Sequence, residues 1–289
     1  TDVSQEALPF TKLIDADVVS SRMSMSHLSD LNGDGFADLI VTHGSYPPGD
    51  STAYNPYILI NTGETFEKVL IDGTVPQMTH TREIMVSDFN LDGNKDFIIV
   101  GHGWDTNPFA GEKNALVYGV GNSEFTDKSD LLPAVNDFSH SVAIGDLNQD
   151  QYPDIYVGNI WGQGFIPPYI LINEEGNSFR RLDLPSNSFG LSSQRFTSSL
   201  IHDLDGDGKP ELIVGMLSGY SGAKNSKVFS FDSTNENLTE THSLQGGIFK
   251  ENTIVMDIKA GDINEDGRED LIFIETTSTP YYQGAGITI

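Results

Sequence analysis

Five acidic nonapeptides punctuate this chain at an almost constant interval. They are DLNGDGFAD (Asp30–Asp38), DFNLDGNKD (Asp88–Asp96), DLNQDQYPD (Asp146–Asp154), DLDGDGKPE (Asp203–Glu211) and DINEDGRED (Asp262–Asp270). Their first residues lie 58, 58, 57 and 59 positions apart. Self-similarity at a fixed period of this size marks a repeat architecture, in which each unit hides its apolar surface only against its neighbours. Every copy runs straight into an apolar segment (LIV, FIIV, IYV, LIV, LIFI), so each acidic loop precedes a buried strand.

The chemistry of one loop is that of a hard cation. Positions 1, 3 and 5 carry Asp or Asn oxygens, position 6 is Gly in four copies, and position 9 is a carboxylate in all five. Calcium takes six to eight oxygen ligands in a flexible shell, which alternating side chains plus a backbone carbonyl at position 7 supply; magnesium demands a stricter octahedron and keeps its waters. The expected ligand sets are Asp30, Asn32, Asp34, Phe36 and Asp38; Asp88, Asn90, Asp92, Asn94 and Asp96; Asp146, Asn148, Asp150, Tyr152 and Asp154; Asp203, Asp205, Asp207, Lys209 and Glu211; and Asp262, Asn264, Asp266, Arg268 and Asp270. Phe36, Asn94, Tyr152, Lys209 and Arg268 would contribute main-chain oxygen only. A solvated Asx-type turn would explain one such loop, but not five in phase. Up to five Ca²⁺ are expected. The third loop fits least well, because Gln151 stands where the others turn on Gly, and Glu211 lengthens the fourth by one methylene.

These residues resemble the FG-GAP/VCBS repeat family, the calcium-loop blades of integrin-type β-propellers, and the resemblance spans essentially the whole chain. It implies an all-β propeller whose loops bind calcium, and it says little about function. The strand pattern agrees. In the third repeat His140–Leu147, Asp154–Ile160, Tyr169–Asn173 and the FRRLDL run each read as a strand, being short, rich in Val, Ile, Tyr and Phe, and bounded by Gly, Pro or Asn. No apolar stripe of helical period appears. Four strands per repeat and five repeats predict a five-bladed propeller of four-stranded blades, a single domain over residues 1–289. The segment Leu8–Asp15 looks like the fourth strand of a later repeat, and GITI (Gly286–Ile289) like a third strand. The ring is therefore expected to close with residues 8–15 completing the fifth blade; a fragment of a seven-bladed ring is the alternative.

Composition narrows the partners. The net charge is −26, and sixteen of the forty-two acids occupy the loop positions. Even with every loop filled the chain stays acidic, which disfavours nucleic acid and anionic membrane surfaces. No stretch approaches the ~20 apolar residues of a membrane span. The absence of cysteine excludes a disulfide framework, and weak calcium sites suit an extracellular setting. A secreted protein is expected, its signal peptide absent from this numbering.

In propeller topology the acidic loops share one face, and the connections between second and third strands emerge on the other. Those connections (Thr42–Asn55, Gly101–Asn114, Gly158–Pro168, Gly215–Ser226, Glu275–Gly286) are long and carry His43, Tyr46, His102, Trp104, Trp161, Tyr220, Tyr281 and Tyr282 among Gly, Ser, Thr, Asn and Pro. Loops on a rigid scaffold are where binding residues concentrate. Flat rings beside hydroxyls and amides suit a glycan or glycoconjugate; Tyr and Trp suit a protein partner equally. Arg22, His80, Arg82, His140 and Arg195 precede the innermost strands, with Glu83 and Asp257 nearby. They are expected to rim the central channel, where a His/Arg/Tyr group would serve a polysaccharide lyase acting beside a uronate carboxylate. A Glu83–Asp257 pair would serve glycoside hydrolysis if spaced ~5–10 Å. His202 is expected to be structural. The principal expectation is a lectin-like or adhesion-like propeller, with a polysaccharide-degrading enzyme or a protein-interaction module as alternatives.

Overall fold

The computed structural model describes residues 23–45, 51–160, 166–184, 195–218, 225–245, 247–250, 252–279 and 281–289. The described residues form nineteen successive strands and contain no helix beyond a 3₁₀ turn at Ser129–Leu131. The first blade is β1 (Met23–Ser29), β2 (Asp38–His43), β3 (Tyr57–Asn61) and β4 (Phe66–Val69), hydrogen-bonded in that order. The second is β5 (Thr81–Ser87), β6 (Asp96–Gly101), β7 (Ala115–Gly121) and β8 (Glu124–Asp127). The third is β9 (Ser139–Gly145), β10 (Asp154–Asn159), β11 (Tyr169–Glu174) and β12 (Ser178–Asp183). The fourth is β13 (Phe196–His202), β14 (Glu211–Met216), β15 (Asn225–Asp232) and β16 (Asn237–Gln245). The fifth sheet contributes β17 (Thr253–Gly261), β18 (Asp270–Ser278) and β19 (Tyr281–Thr288). All pairs are antiparallel, as in β9–β10 and β10–β11. The chain is a five-bladed β-propeller, as expected from its period. The proposed closing strand at residues 8–15 lies outside the described residues, as does Arg22.

Alternation along each second strand builds the core. In β6, Phe97 and Ile99 enter the cluster shared with Ile40 and Ile58 of the first blade, whereas Ile98 and Val100 enter the one shared with Ile155 and Val157 of the third. In β10 the partition repeats, with Tyr156 turned toward Phe196, Leu212 and Ile213 of the fourth blade. Successive side chains on a strand point to opposite faces, so a strand sandwiched on both sides must be apolar at every position. That is why FIIV and IYV read as unbroken runs. Deleting one such ring would cost about 3–5 kcal/mol.

Neighbouring blades meet closely where glycine stands in place of a side chain. A Cβ built on Gly145, at the end of β9, would meet Ile201 Cγ2 of β13 at 2.2 Å, and one on Gly215 of β14 would meet Val255 Cγ1 of β17 at 2.6 Å. We expect Gly145→Ala to destabilise the protein by about 1–3 kcal/mol through overpacking. Combining it with Ile201→Ala should cost less than the two single losses added together. Strict additivity in chemical denaturation would show that the seam yields elsewhere.

Candidate metal centre and the opposite face

Each acidic loop is folded by its own carboxylates. In the first, Asp30 accepts the N–H groups of Gly33 (2.8 Å), Asp34 (3.1 Å) and Gly35 (2.9 Å). Asn32 Oδ1 accepts the Asp34 N–H (3.0 Å), and Asp34 Oδ1 accepts that of Phe36 (2.8 Å). The same position-1 to position-6 bond recurs at Asp88–Gly93 (2.9 Å), Asp146–Gln151 (2.8 Å), Asp203–Gly208 (2.9 Å) and Asp262–Gly267 (2.8 Å).

Position 9 anchors the loop to the blade. Asp38, Asp96 and Asp154 are fully buried. One oxygen of each accepts the position-2 N–H (Leu31 2.9 Å, Phe89 2.8 Å, Leu147 3.0 Å) and the other an N–H of the third strand (Asn61 2.8 Å, Gly119 3.0 Å, Asn173 2.8 Å). Glu211 and Asp270 accept the corresponding N–H groups of Leu204 and Ile263 at 3.0 and 3.1 Å. Burial pushes Asp96 and Asp154 up to about 7 and raises Asp38 and Glu211, with the neighbouring loop carboxylates adding to the effect. A bound cation would oppose that shift.

The donor set fits a hard divalent ion. Asp203, Asp205 and Glu211 bring carboxylate oxygens within 4.8 Å of one another, a spacing that oxygens each ~2.3–2.6 Å from a shared Ca²⁺ can satisfy. The side chains at positions 1, 3, 5 and 9 and the carbonyl at position 7 are the groups that would hold the ion in each loop. Its chemistry would be structural, neutralising carboxylates crowded on a single turn.

The backbone carries a feature that the motif conceals. Position 6 has positive φ in every loop, including Gln151 at 82° in the third. Position 4 does too, although only Gly33 and Gly206 are glycines there; Leu91 (57°), Gln149 (64°) and Glu265 (60°) adopt the same conformation. The two glycines were the only sequence signal for this second left-handed residue. Gln151 accepts the strain and keeps its bond to Asp146. A left-handed non-glycine residue costs ~1–2 kcal/mol, partly offset by the greater freedom of glycine in the unfolded chain. Gln151→Gly should therefore stabilise by about 0.5–1 kcal/mol in urea titration with calcium present; an unchanged or lower midpoint would argue against the strain.

On the opposite face, Tyr46, Trp161 and Tyr220 lie outside the described residues, and so does the side chain of Tyr281. His43 and His102 are buried, at 4% and 2% exposure. His43 stacks on Tyr54 with centroids 4.2 Å apart, and His102 lies between His80 (4.2 Å) and Phe138 (4.5 Å), with His140 at 5.3 Å. These two rings underpin loops instead of facing solvent. Trp104 is half-buried and Tyr282 is 48% exposed. The fifth connection departs from its expected form. β18 and β19 pair as far as Ser278–Tyr281, so most of Glu275–Gly286 is a hairpin and not a loop, consistent with its β-branched and aromatic residues.

The long second connection is stapled from below. Buried Glu112 accepts the N–H groups of Thr79 (2.6 Å) and His80 (3.2 Å), and exchanges backbone bonds with Asp137 at 2.9 Å each way. Asn114 donates to Asp137 Oδ2 (3.2 Å) and Ser139 Oγ (3.1 Å), and Tyr169 donates to the same Asp137 oxygen. No motif marked this network. Arg195 donates to the Ile160 carbonyl (2.7 Å), and His202 lies 3.4 Å from Glu269 beside the fourth loop.

The five innermost strands surround a cavity of about 320 Å³ whose lining includes Arg82, Glu83, His140, Asp257 and Lys259. Glu83 accepts the Val142 N–H (2.8 Å). Burial, opposed by that hydrogen bond and reinforced by Asp257, pushes its carboxyl up to about 7. The native state thus keeps a proton that the unfolded chain loses near 4.5, and stability falls as pH rises from about 4.5 through 7. Glu83→Gln retains an acceptor for Val142 and removes this dependence. Its melting temperature should gain on the parent as pH rises from 5 to 8; parallel curves would contradict the assignment.

With this geometry established, the class of protein follows. The FG-GAP-like repeat model matches residues 30–99, 88–157 and 203–273, more than half of the chain, and the chain belongs to that family. It is 29% identical over 178 residues to integrin alpha-3 of Cricetulus griseus and of Mus musculus, covering 55% of this chain but 16% of each relative. Among solved structures, the rhamnogalacturonan lyase YesW aligns over 92% of this chain and 49% of its own (TM-score 0.46, 16% identity). The V. cholerae biofilm matrix protein Bap1 aligns over 74% and 27% (TM-score 0.40, 16% identity). No helix among the described residues is long and apolar enough to cross a membrane.

Proposed function

We propose that this chain is a calcium-stabilised extracellular propeller, one domain over residues 1–289, that binds a glycan or glycoconjugate through the face opposite its acidic loops. The observation that carries the proposal is the division of labour between the two faces. One face gathers the self-templated acidic loops, with Asp203, Asp205 and Glu211 converging within 4.8 Å. The other carries Gly- and aromatic-bearing connections, of which the second, Gly101–Asn114, is held by the buried hydrogen bonds of Glu112 and Asn114. A rigid platform with partly exposed Trp104 and Tyr282 suits apolar patches of sugar rings, while neighbouring amides and hydroxyls suit their hydroxyls. Similarity to integrin alpha-3 supports an extracellular setting and favours, as the second reading, a protein partner on the same face.

Chelation tests the metal half of the proposal. Excess EDTA should lower the melting temperature by several degrees, and added Ca²⁺ should restore it more effectively than Mg²⁺. A melt indifferent to EDTA would count against structural calcium. A glycan array probed in calcium tests the ligand half: binding that weakens on Trp104→Ala supports the glycan, whereas a blank array with capture of an integrin-ligand-type matrix protein supports the second reading.

A further inference from the structure

Arg82 differs from the other charged groups of the central cavity. Lys259 Nζ is hydrogen-bonded to Asp257 Oδ1 at 3.0 Å, and Glu83 is engaged by the Val142 N–H. Arg82 makes no hydrogen bond or ion pair among the described residues, and its Nε is shielded from water. The carboxyls that share its cavity, Glu83 and Asp257, form no hydrogen bond or ion pair with it among the described residues. His80, His102 and His140 are held below the ordinary histidine range, chiefly by burial, next by Arg82 for His80 and His140 and by His80 for His102. At neutral pH these three rings are uncharged. A guanidinium carries five donors in a planar fork matched to a carboxylate, and a partly desolvated charge without a partner is costly. Among the described residues the guanidinium Nε lacks a hydrogen-bond acceptor.

We propose that Arg82 receives a single carboxylate of the ligand at the loop-side mouth of the central channel, and that the ligand is a sugar acid. The sugar component rests on the glycan reading above; the carboxylate component rests on Arg82 alone. Position along the strand places the site on the correct face. Arg82 is the second residue of β5, at the end from which the second-to-third-strand connections emerge, while the acidic loops leave the other end. His140 and Thr197 line the same cavity, and Ser198, whose buried hydroxyl has no hydrogen-bond partner among the described residues, adds a donor to its wall. The chain's net charge of −26 sets the type of acid. A polyanion would meet repulsion along its whole length, whereas a single carboxylate seated on the guanidinium meets only the local charges of the cavity, with Lys259 and Asp257 already paired to each other. The ligand is therefore a largely neutral saccharide bearing one acidic residue.

Calorimetric titration of the calcium-loaded full chain with glucuronate, glucose, acetate and polygalacturonate separates the elements of this proposal. Glucuronate should bind at least about tenfold more tightly than glucose. Arg82→Gln should remove about tenfold of that affinity, Arg82→Lys should remove less, and Arg180→Gln on the outer surface should change nothing. Because an unpaired charge is lost, Arg82→Gln should melt at or above the parent temperature. Equal binding of glucuronate and glucose, or an Arg82→Gln variant that is folded and unaffected, would overturn the carboxylate site and leave the glycan reading standing. Acetate binding as strongly as glucuronate, with glucose inert, would uphold the carboxylate site and overturn the sugar. Tighter binding of polygalacturonate per site at physiological salt would overturn the single-acid restriction, and a strong loss of stability in both Arg82 variants would show that the guanidinium serves the fold.

Discussion

The carboxylate that ends each acidic loop is the joint on which the molecule turns. In the first three blades it is buried, with one oxygen on the loop backbone and the other on the third strand. The loop, the second strand and the third strand are thereby tied at one point, so the innermost hairpin and the outer half of the blade cannot shift independently. Desolvating such a group is expensive unless its lone pairs are occupied, and the two N–H donors offset part of that cost. A cation among the neighbouring carboxylates would offset more. The structural demand and the metal demand therefore converge on the same residues.

Much of the architecture was legible because it follows from periodicity. The 58-residue spacing and the unbroken FIIV and IYV runs record a physical necessity, namely that each second strand is covered on both sides. The left-handed turn at position 4 was nearly invisible, since Leu91, Gln149 and Glu265 are not residues from which such a conformation is inferred. The hydrogen bonds of the turn impose it. Tertiary context likewise decided the histidines. Nothing in a Gly-rich loop says whether a ring points outward or inward, and His43 and His102 turn inward onto Tyr54, His80 and Phe138.

The channel residues illustrate the same limit from the other side. Their nearness to the innermost strands was readable, although Arg82, Glu83, His140 and Asp257 lie within those strands and not before them, and these four line one cavity. Their pairing was not readable, because it depends on which neighbour comes within reach across the axis. Lys259 takes Asp257, Glu83 takes a backbone N–H, and Arg82 finds no hydrogen-bond partner among the described residues. A charge can be assigned from sequence, but its solvation cannot.

The contact of Gly145 with Ile201 across two innermost strands bears on how such a wheel changes size. Blades meeting this tightly at the hub act as wedges whose angle is set by the missing side chain on one of them. Copying or losing a unit would alter that angle everywhere at once, so a viable new ring would need compensating changes of side-chain volume at every hub contact. The gene can duplicate a repeat in one step; the hub would have to be recut before the ring could close.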